Sequence, residues 1–234
     1  MAGNGFPDPA IVVERRKEAT MVPERRDLQG RQRDRAFAPS SGVAIVTTCD
    51  GAGRVNAAAY GSCVRVSHEP LDIAFTAYAT HDTVANLRDV PEFTVNLPRF
   101  DPDLLARLQT VGLSFARGVD ELEKAGLTAL AARAVRPPRV AECPRHFECR
   151  VLWTKEWDGR VMVAGRVAAA SADAECVDER GYLVWDRAKP VHTCGAAYID
   201  MFVPAFEPVA VAPNYDGPER RAYEDNARRT RHEN

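Results

Sequence analysis

Residues 147–170 constrain the fold more than any other part of this sequence. Two β-prone runs, 147–157 and 160–170, flank the dipeptide Asp158-Gly159. A two-residue loop of this composition favours a type I′ turn, which needs positive φ at both positions and sets the flanking runs antiparallel. Other β-prone runs come earlier, at 42–48 (closed by Asp50, Gly51 and Gly53), 55–66, 71–77 and 93–97, and a last strand is expected over 194–202. Short helices are expected at 81–88, at 101–108 and at 119–125. The second of these has proline at its first helical position and ends near Gly112, and the third is stopped by Gly126. At least six strands with short inserted helices predict a mainly β chain, a closed or partly closed antiparallel barrel. Periodicity alone does not separate barrel from sandwich.

Composition narrows the function classes. The 234 residues carry 31 Lys+Arg against 33 Asp+Glu, a formal charge of −2. Such a balance disfavours coating nucleic acid or an anionic membrane, so neither is expected as a partner. No apolar run approaches the roughly 18 residues of a membrane span, and the first 20 residues place charges where a signal peptide needs an apolar core. A cytoplasmic protein is expected. The six cysteines include no C-x-x-C pair, and no disulfide framework is expected. Cys143-Pro-Arg-His146-Phe-Glu-Cys149 has a spacing that suits zinc in a loop. It runs into an alternating strand pattern that turns His146 away from both cysteines, so no metal is expected. Residues 1–35 and 204–234 are rich in mixed charge and poor in apolar surface, and read as arms around a central domain at 36–203.

No signature of a nucleophilic, metallopeptidase or nucleotide-loop enzyme occurs, so any redox or group-transfer chemistry must come from a bound cofactor. Two segments suit a planar, anionic one. From Asn56 to Cys63 the side chains are mostly small, which lets a ligand approach the backbone, and Gly61-Ser62 offers amide donors. Thr80-His81-Asp82-Thr83 opens a short helix whose N-terminus suits a phosphate. Each has a plainer alternative: a packed barrel strand for the first, and ordinary capping by Thr80 or Asp82 for the second.

The order of these and other segments resembles the flavin reductase-like, FMN-binding split-barrel family. The resemblance runs over residues 36–203, through Gly42-Val-Ala-Ile-Val-Thr-Thr48, Gly53-Arg-Val-Asn-Ala-Ala-Ala-Tyr60 and His81-Asp-Thr-Val-Ala-Asn-Leu87. It continues through Glu92-Phe-Thr-Val-Asn-Leu97, Gly118-Val-Asp-Glu-Leu-Glu-Lys-Ala-Gly-Leu-Thr128 and Arg136-Pro-Pro-Arg139 to His192-Thr-Cys-Gly195-Ala-Ala-Tyr198. It implies a six-stranded antiparallel split barrel that forms a homodimer with flavin near the subunit interface. Tyr60, Gly61, Ser62 and Cys63 fall where the family wraps the isoalloxazine and ribityl chain. Thr80 leads into His81, Asp82 and Thr83, which fall on its lysine-aspartate-threonine phosphate motif. Asn96 matches an asparagine of the following strand, and His192 and Tyr198 match the late segment that approaches the flavin or nicotinamide. Two departures stand out: His81 replaces the lysine, so a full positive charge is not guaranteed at neutral pH, and small residues at 62 and 63 widen the space beside the ring.

The resemblance implies an oxidoreductase that transfers hydride from NADH or NADPH to FMN, with FAD an alternative, and that supplies a separate monooxygenase. A second reading is a flavoenzyme that keeps its flavin and acts directly on an organic substrate, with His192 as its proton-transfer residue. A third is a non-enzymatic flavin- or haem-binding barrel.

Overall fold

The computed structural model describes residues 25–209, with 211, 213, 217–222 and 225. Residues 1–24 and most of 210–234, including Tyr215 and Tyr223 of the charged arms, lie outside the described residues. Contacts set Leu28–Phe206 apart as one unit. Its elements are α1 (Arg31–Ala36), β1 (Ser41–Gly42), β2 (Ala44–Cys49), β3 (Val55–Tyr60), β4 (Val64–His68) and β5 (Leu71–Tyr78), followed by α2 (Asp82–Asp89) and β6 (Glu92–Leu97). Next come α3 (Pro102–Val111), α4 (Glu121–Lys124), β7 (Ala129–Leu130), β8 (Arg139–Val140), β9 (Arg145–Trp157) and β10 (Arg160–Ala172). The unit closes with α5 (Trp185–Ala188), β11 (Val191–Thr193) and β12 (Phe202–Pro204).

Seven strands form one antiparallel sheet in the order β3-β2-β6-β9-β10-β5-β4. The seventh arises because the single run expected over 55–66 is two strands. The chain turns at Gly61 and Ser62, and β4 leaves β3 to pair with β5. A Cβ on Gly61 would lie 2.6 Å from Thr193 Cγ2, so only glycine lets β11 come this close. The Ser41 hydroxyl also donates to the Gly61 carbonyl.

The β9–β10 hairpin builds the barrel. Asp158 (φ 42°) and Gly159 (φ 71°) supply the two positive φ values that a type I′ turn requires. Near the base, Arg145–Arg150 of β9 pairs with β6, whereas near the tip Arg160–Arg166 of β10 pairs with β5. Within the stretch paired with β5 the β9–β10 ladder slips at Ala164/Gly165, leaving Leu152 as an extra residue on β9, and it slips again between Val167 and Ala169. Bulges of this kind bend and twist a strand, which turns one hairpin from one half of the barrel to the other.

Two cores result. Inside the barrel lie Val46, Tyr60, Phe75, Phe93, Val95 and Val163. On the outer face of β2 and β3, Ile45 and Ala57 meet Leu104, Leu105 and Leu108 of α3 and Leu122 of α4. Strand β2 therefore buries every residue, on both faces. Helix α3 begins as its sequence implies, with Asp101 Oδ1 accepting the Leu104 N–H (3.0 Å) and Pro102 next to the cap.

The single strand expected over 194–202 is not formed. Gly195 at φ 87° turns the chain and Ala196–Tyr198 makes one 3-10 turn, so β11 ends before the segment and β12 begins only at Phe202; the two pair with each other beside β1. His146 is also settled. It is buried at the start of β9, with Nε2 2.9 Å from the Val140 carbonyl and Nδ1 3.2 Å from Ser171 Oγ.

Candidate functional site

Strands β3 and β5 end side by side with Tyr60 and Tyr78, and the loop after β5 leads directly into α2. Here a cleft of about 630 Å³ opens, walled by Tyr60, Gly61, Ser62, Thr76, Tyr78, Arg160 and Thr193. A smaller cleft of about 260 Å³ runs towards the N-terminus of α2 and is lined by Thr80, His81, Asp82, Thr83, Arg117 and Glu121. The two share Ala59, Tyr60, His81 and Gly112 as walls. Seven residues singled out in the sequence are thus brought together: Tyr60, Gly61, Ser62, Thr80, His81, Asp82 and Thr83.

The other four do not line either cleft. Cys63 is half-buried against the barrel core, and burial pushes its thiol up to about 12. Asn96 is fully buried in the framework: Nδ2 donates to the Ile45 carbonyl (3.0 Å) and Oδ1 accepts the Val140 N–H (2.8 Å). On β11 alternate residues face opposite ways, so Thr193 lines the larger cleft while His192 is exposed. Tyr198 follows Gly195 and Ala196, which do line it.

The Tyr60 hydroxyl is the clearest sign of a ligand. The residue is only 6% exposed, its ring packs 4.7 Å from that of Phe75, and its hydroxyl has no hydrogen-bond partner among the described residues. Burial pushes the phenol up to about 12, with the nearby Thr83 hydroxyl opposing, so it stays a protonated O–H on the shared wall, its approach to Thr83 looser than a formed hydrogen bond. A buried polar group without a partner costs about 1–3 kcal/mol, a cost that a polar ligand at this wall removes. Helix α2 is equally open. His81 is its N-cap and no side chain caps it, contrary to the plainer reading of Thr80 or Asp82 as caps. The Thr83 hydroxyl accepts from Asn56 Nδ2 (3.1 Å), leaving its own proton to donate elsewhere.

Charges at the small cleft are mixed. Asp82 Oδ1 lies 2.9 Å from Arg117 Nη1. Glu121 is 7% exposed and accepts the Ala57 N–H through Oε2 (3.0 Å); burial raises its pKa, with Asp120 and Asp82 adding to the rise. A carboxyl raised in the folded state binds its proton more tightly there than in the unfolded chain, so stability from this group falls as pH rises through the folded pKa. Glu121→Gln keeps an acceptor for Ala57 without the charge. The variant is expected to be more stable than wild type at pH 7, and the difference to vanish near pH 4. Urea denaturation at the two pH values checks this, and an equal difference at both would contradict it.

The wider cleft contains groups that the sequence did not single out. The Tyr78 ring meets the His81 ring edge-on (centroids 5.2 Å apart), and the Arg160 guanidinium lies over the Tyr78 ring at 5.2 Å. Away from the site, Asp173, Glu175 and Cys176 are the one group with metal-ligand spacing among the described residues. Arg99 already pairs with both carboxylates, at 3.2 and 3.4 Å. Among the described residues no helix is long and apolar enough to cross a membrane.

Known proteins share this shape. An uncharacterized protein of Aquifex aeolicus is 29% identical over 126 residues, which cover 53% of this chain and 61% of that protein, under two thirds of its length. Among solved structures, a Shewanella frigidimarina protein assigned to the flavin reductases, with a split barrel domain, superposes with a TM-score of 0.69 at 16% identity, covering 80% of this chain and 94% of that one. Nitrilotriacetate monooxygenase component B of Bacillus cereus gives 0.68 at 18%, covering 82% and 98%. The 2-nitrobenzoate 2-nitroreductase of Pseudomonas fluorescens gives 0.69 at 22%, covering 81% and 95%. At these identities the likenesses establish the split-barrel fold. The family model described as the flavin reductase like domain matches residues 38–192, and those residues contain the whole seven-stranded sheet, the lining of the small cleft and most of the lining of the larger one. This chain belongs to the flavin reductase-like family.

Proposed function

We propose that this protein is a flavin reductase that uses NADH or NADPH to reduce FMN or FAD, and that it supplies the reduced flavin to a separate monooxygenase. The observation that carries the reading is the buried, unpartnered Tyr60 hydroxyl at the junction of two clefts, one of which ends at an uncapped helix N-terminus. When bound, the flavin supplies the two-electron chemistry and the nicotinamide nucleotide the hydride. The chain's own residues bind, orient and exclude water. The small Ser62 lets a flat ligand lie along the cleft wall, and its Oγ is held in place by accepting the Thr76 N–H (3.0 Å). Tyr60 donates to a polar edge of the ligand, and Thr80, His81 and Thr83 with the N-terminus of α2 take its phosphate. No acid or base is required for the hydride transfer itself.

The test is oxidation of NADH and NADPH followed at 340 nm with added FMN, FAD or riboflavin. Turnover is expected, and its absence in every combination overturns the reading. Tyr60→Phe is expected to weaken flavin affinity about 2–10-fold, the worth of one hydrogen bond. The same change is expected to leave the flavin-free protein at least as heat-stable, since it removes an unsatisfied hydroxyl.

A second reading draws on the size of the larger cleft and on the nitroreductase fold neighbour: a flavin retained by the protein, acting directly on an organic substrate. Flavin that stays with the protein through gel filtration, and is re-oxidised by a nitroarene with no second protein present, favours it. For a homodimer, the support is the exposed apolar surface of Val64 and Val66 on β4 and of Leu152 and Trp153 on β9.

A further inference from the structure

The small cleft has a charge problem. A flavin phosphate carries up to two negative charges, yet the end of the cleft nearest α2 presents Asp82 and, beneath it, Glu121. His81 stands where the family motif has lysine, and its imidazole offers fewer N–H donors than an ammonium. The N-terminus of α2 offers about half an elementary charge at most. Something else must hold the anion if FMN is to be favoured over uncharged riboflavin.

Among the described residues that line this cleft, one carries a lysine or arginine side chain: Arg117. We propose that Arg117 is the cation that receives the flavin phosphate, in place of the missing lysine. The inference rests on the flavin reading above and gives that reading its phosphate ligand. Local structure presents the side chain for this role. Val119 N–H donates to the Ala116 carbonyl (3.1 Å), and Gly118 has φ 88°, the positive value that the third position of a type II turn demands. Arg117 is therefore the second residue of a tight turn, held ahead of the Asp120 cap of α4, and its position is set by backbone rather than by a mobile loop.

Its guanidinium is also aimed. Nη1 lies 2.9 Å from Asp82 Oδ1, at the first residue of α2 and beside the uncapped N–H groups. The side chain is 54% exposed, so one donor is engaged by Asp82 while others remain available. An arginine fork can grip a phosphate with two parallel hydrogen bonds as a lysine cannot. Asp82 then acts as a positioning residue: it holds the guanidinium over the helix end before the phosphate arrives. The Tyr60 hydroxyl, on the shared wall, is the independent sign that a polar ligand passes this way.

The experiment compares FMN with riboflavin, which differ by the phosphate alone. Dissociation constants for both are measured on the full-length protein at low ionic strength, for wild type, Arg117→Gln and Arg117→Lys. Arg117→Gln is expected to weaken FMN about tenfold or more and to leave riboflavin within about twofold, the loss of a charge-assisted pair. Arg117→Lys keeps the charge without the fork and is expected to restore part of the FMN preference. An unchanged ratio of FMN to riboflavin affinity in Arg117→Gln overturns the proposal, whether both affinities hold or both fall. Wild type that binds neither flavin overturns the flavin reading itself, a different failure that is visible before any variant is made. Thermal unfolding of each variant shows that the fold is intact.

Discussion

Gly165→Ala is expected to cost about 3 kcal/mol or more, the upper end of the range for overpacking a dense core. A Cβ at this position would lie 2.5 Å from Phe93 Cε1, 2.6 Å from Phe93 Cζ and 3.0 Å from the Arg150 carbonyl. Phe93 cannot retreat. It is fully buried, with its ring 5.2 Å from that of Phe75, which in turn lies 4.7 Å from Tyr60. One added methyl therefore presses on a row of three rings whose far end is the cleft wall. For a chain of this size the loss corresponds to a fall in Tm of roughly 6–12 °C. Flavin affinity is expected to fall with it, because Tyr60 moves. The pair Gly165→Ala, Phe93→Leu is expected to be more stable than the sum of its single changes, since the smaller side chain relieves the clash. A Gly165→Ala protein as stable as wild type would mean that the ring row is slack.

Glu148→Ala is the second large effect, about 3–5 kcal/mol, the range for removing one partner of a buried charged pair. Glu148 sits on β9 and is 1% exposed. Its carboxylate accepts the Arg133 N–H through both oxygens (3.0 and 2.9 Å) and the Ala134 N–H through Oε2, with Arg139 Nε 3.8 Å away. Alanine would strand two backbone donors and take the nearest carboxylate from the largely buried Arg139, which keeps its hydrogen bonds to the Ala131 carbonyl and Ser171 Oγ. Glu148→Gln is expected to be milder but still harmful, because its amide N–H₂ would face donors. The urea midpoint is expected to drop at unchanged m value. A loss below about 0.5 kcal/mol would place this carboxylate among ordinary surface groups.

What could be read beforehand follows from the range of the interactions involved. The β9–β10 hairpin is legible because Asp158-Gly159 acts locally, and the start of α3 because Asp101 and Pro102 act within one turn. The small-cleft end of the candidate site is legible through Thr80-His81-Asp82-Thr83, a contiguous segment. Arg117 is not, because its partner Asp82 lies 35 residues away and a single arginine in a loop has no periodicity. Arg160 and Thr193 are hidden for the same reason: they reach the cleft from strands distant in sequence. Asn96 shows the converse. Its place in a recognisable segment marked it as a ligand contact, whereas its amide is engaged in joining β2, β6 and β8. In the sequence β3 and β4 run together because small residues continue through Gly61, and only the approach of Thr193 from across the fold explains the turn there.

The hairpin's double partnership also sets a schedule for synthesis. Strands β2, β3 and β6 can associate as they leave the ribosome, and so can β4 with β5, but each group keeps an open edge until β9 and β10 appear. Both edges wait for the same segment, which ends at Ala172. Until that point the nascent chain holds two unfinished sheets whose exposed edges invite mispairing, a hazard for a chaperone to manage. Emergence of one hairpin then finishes both.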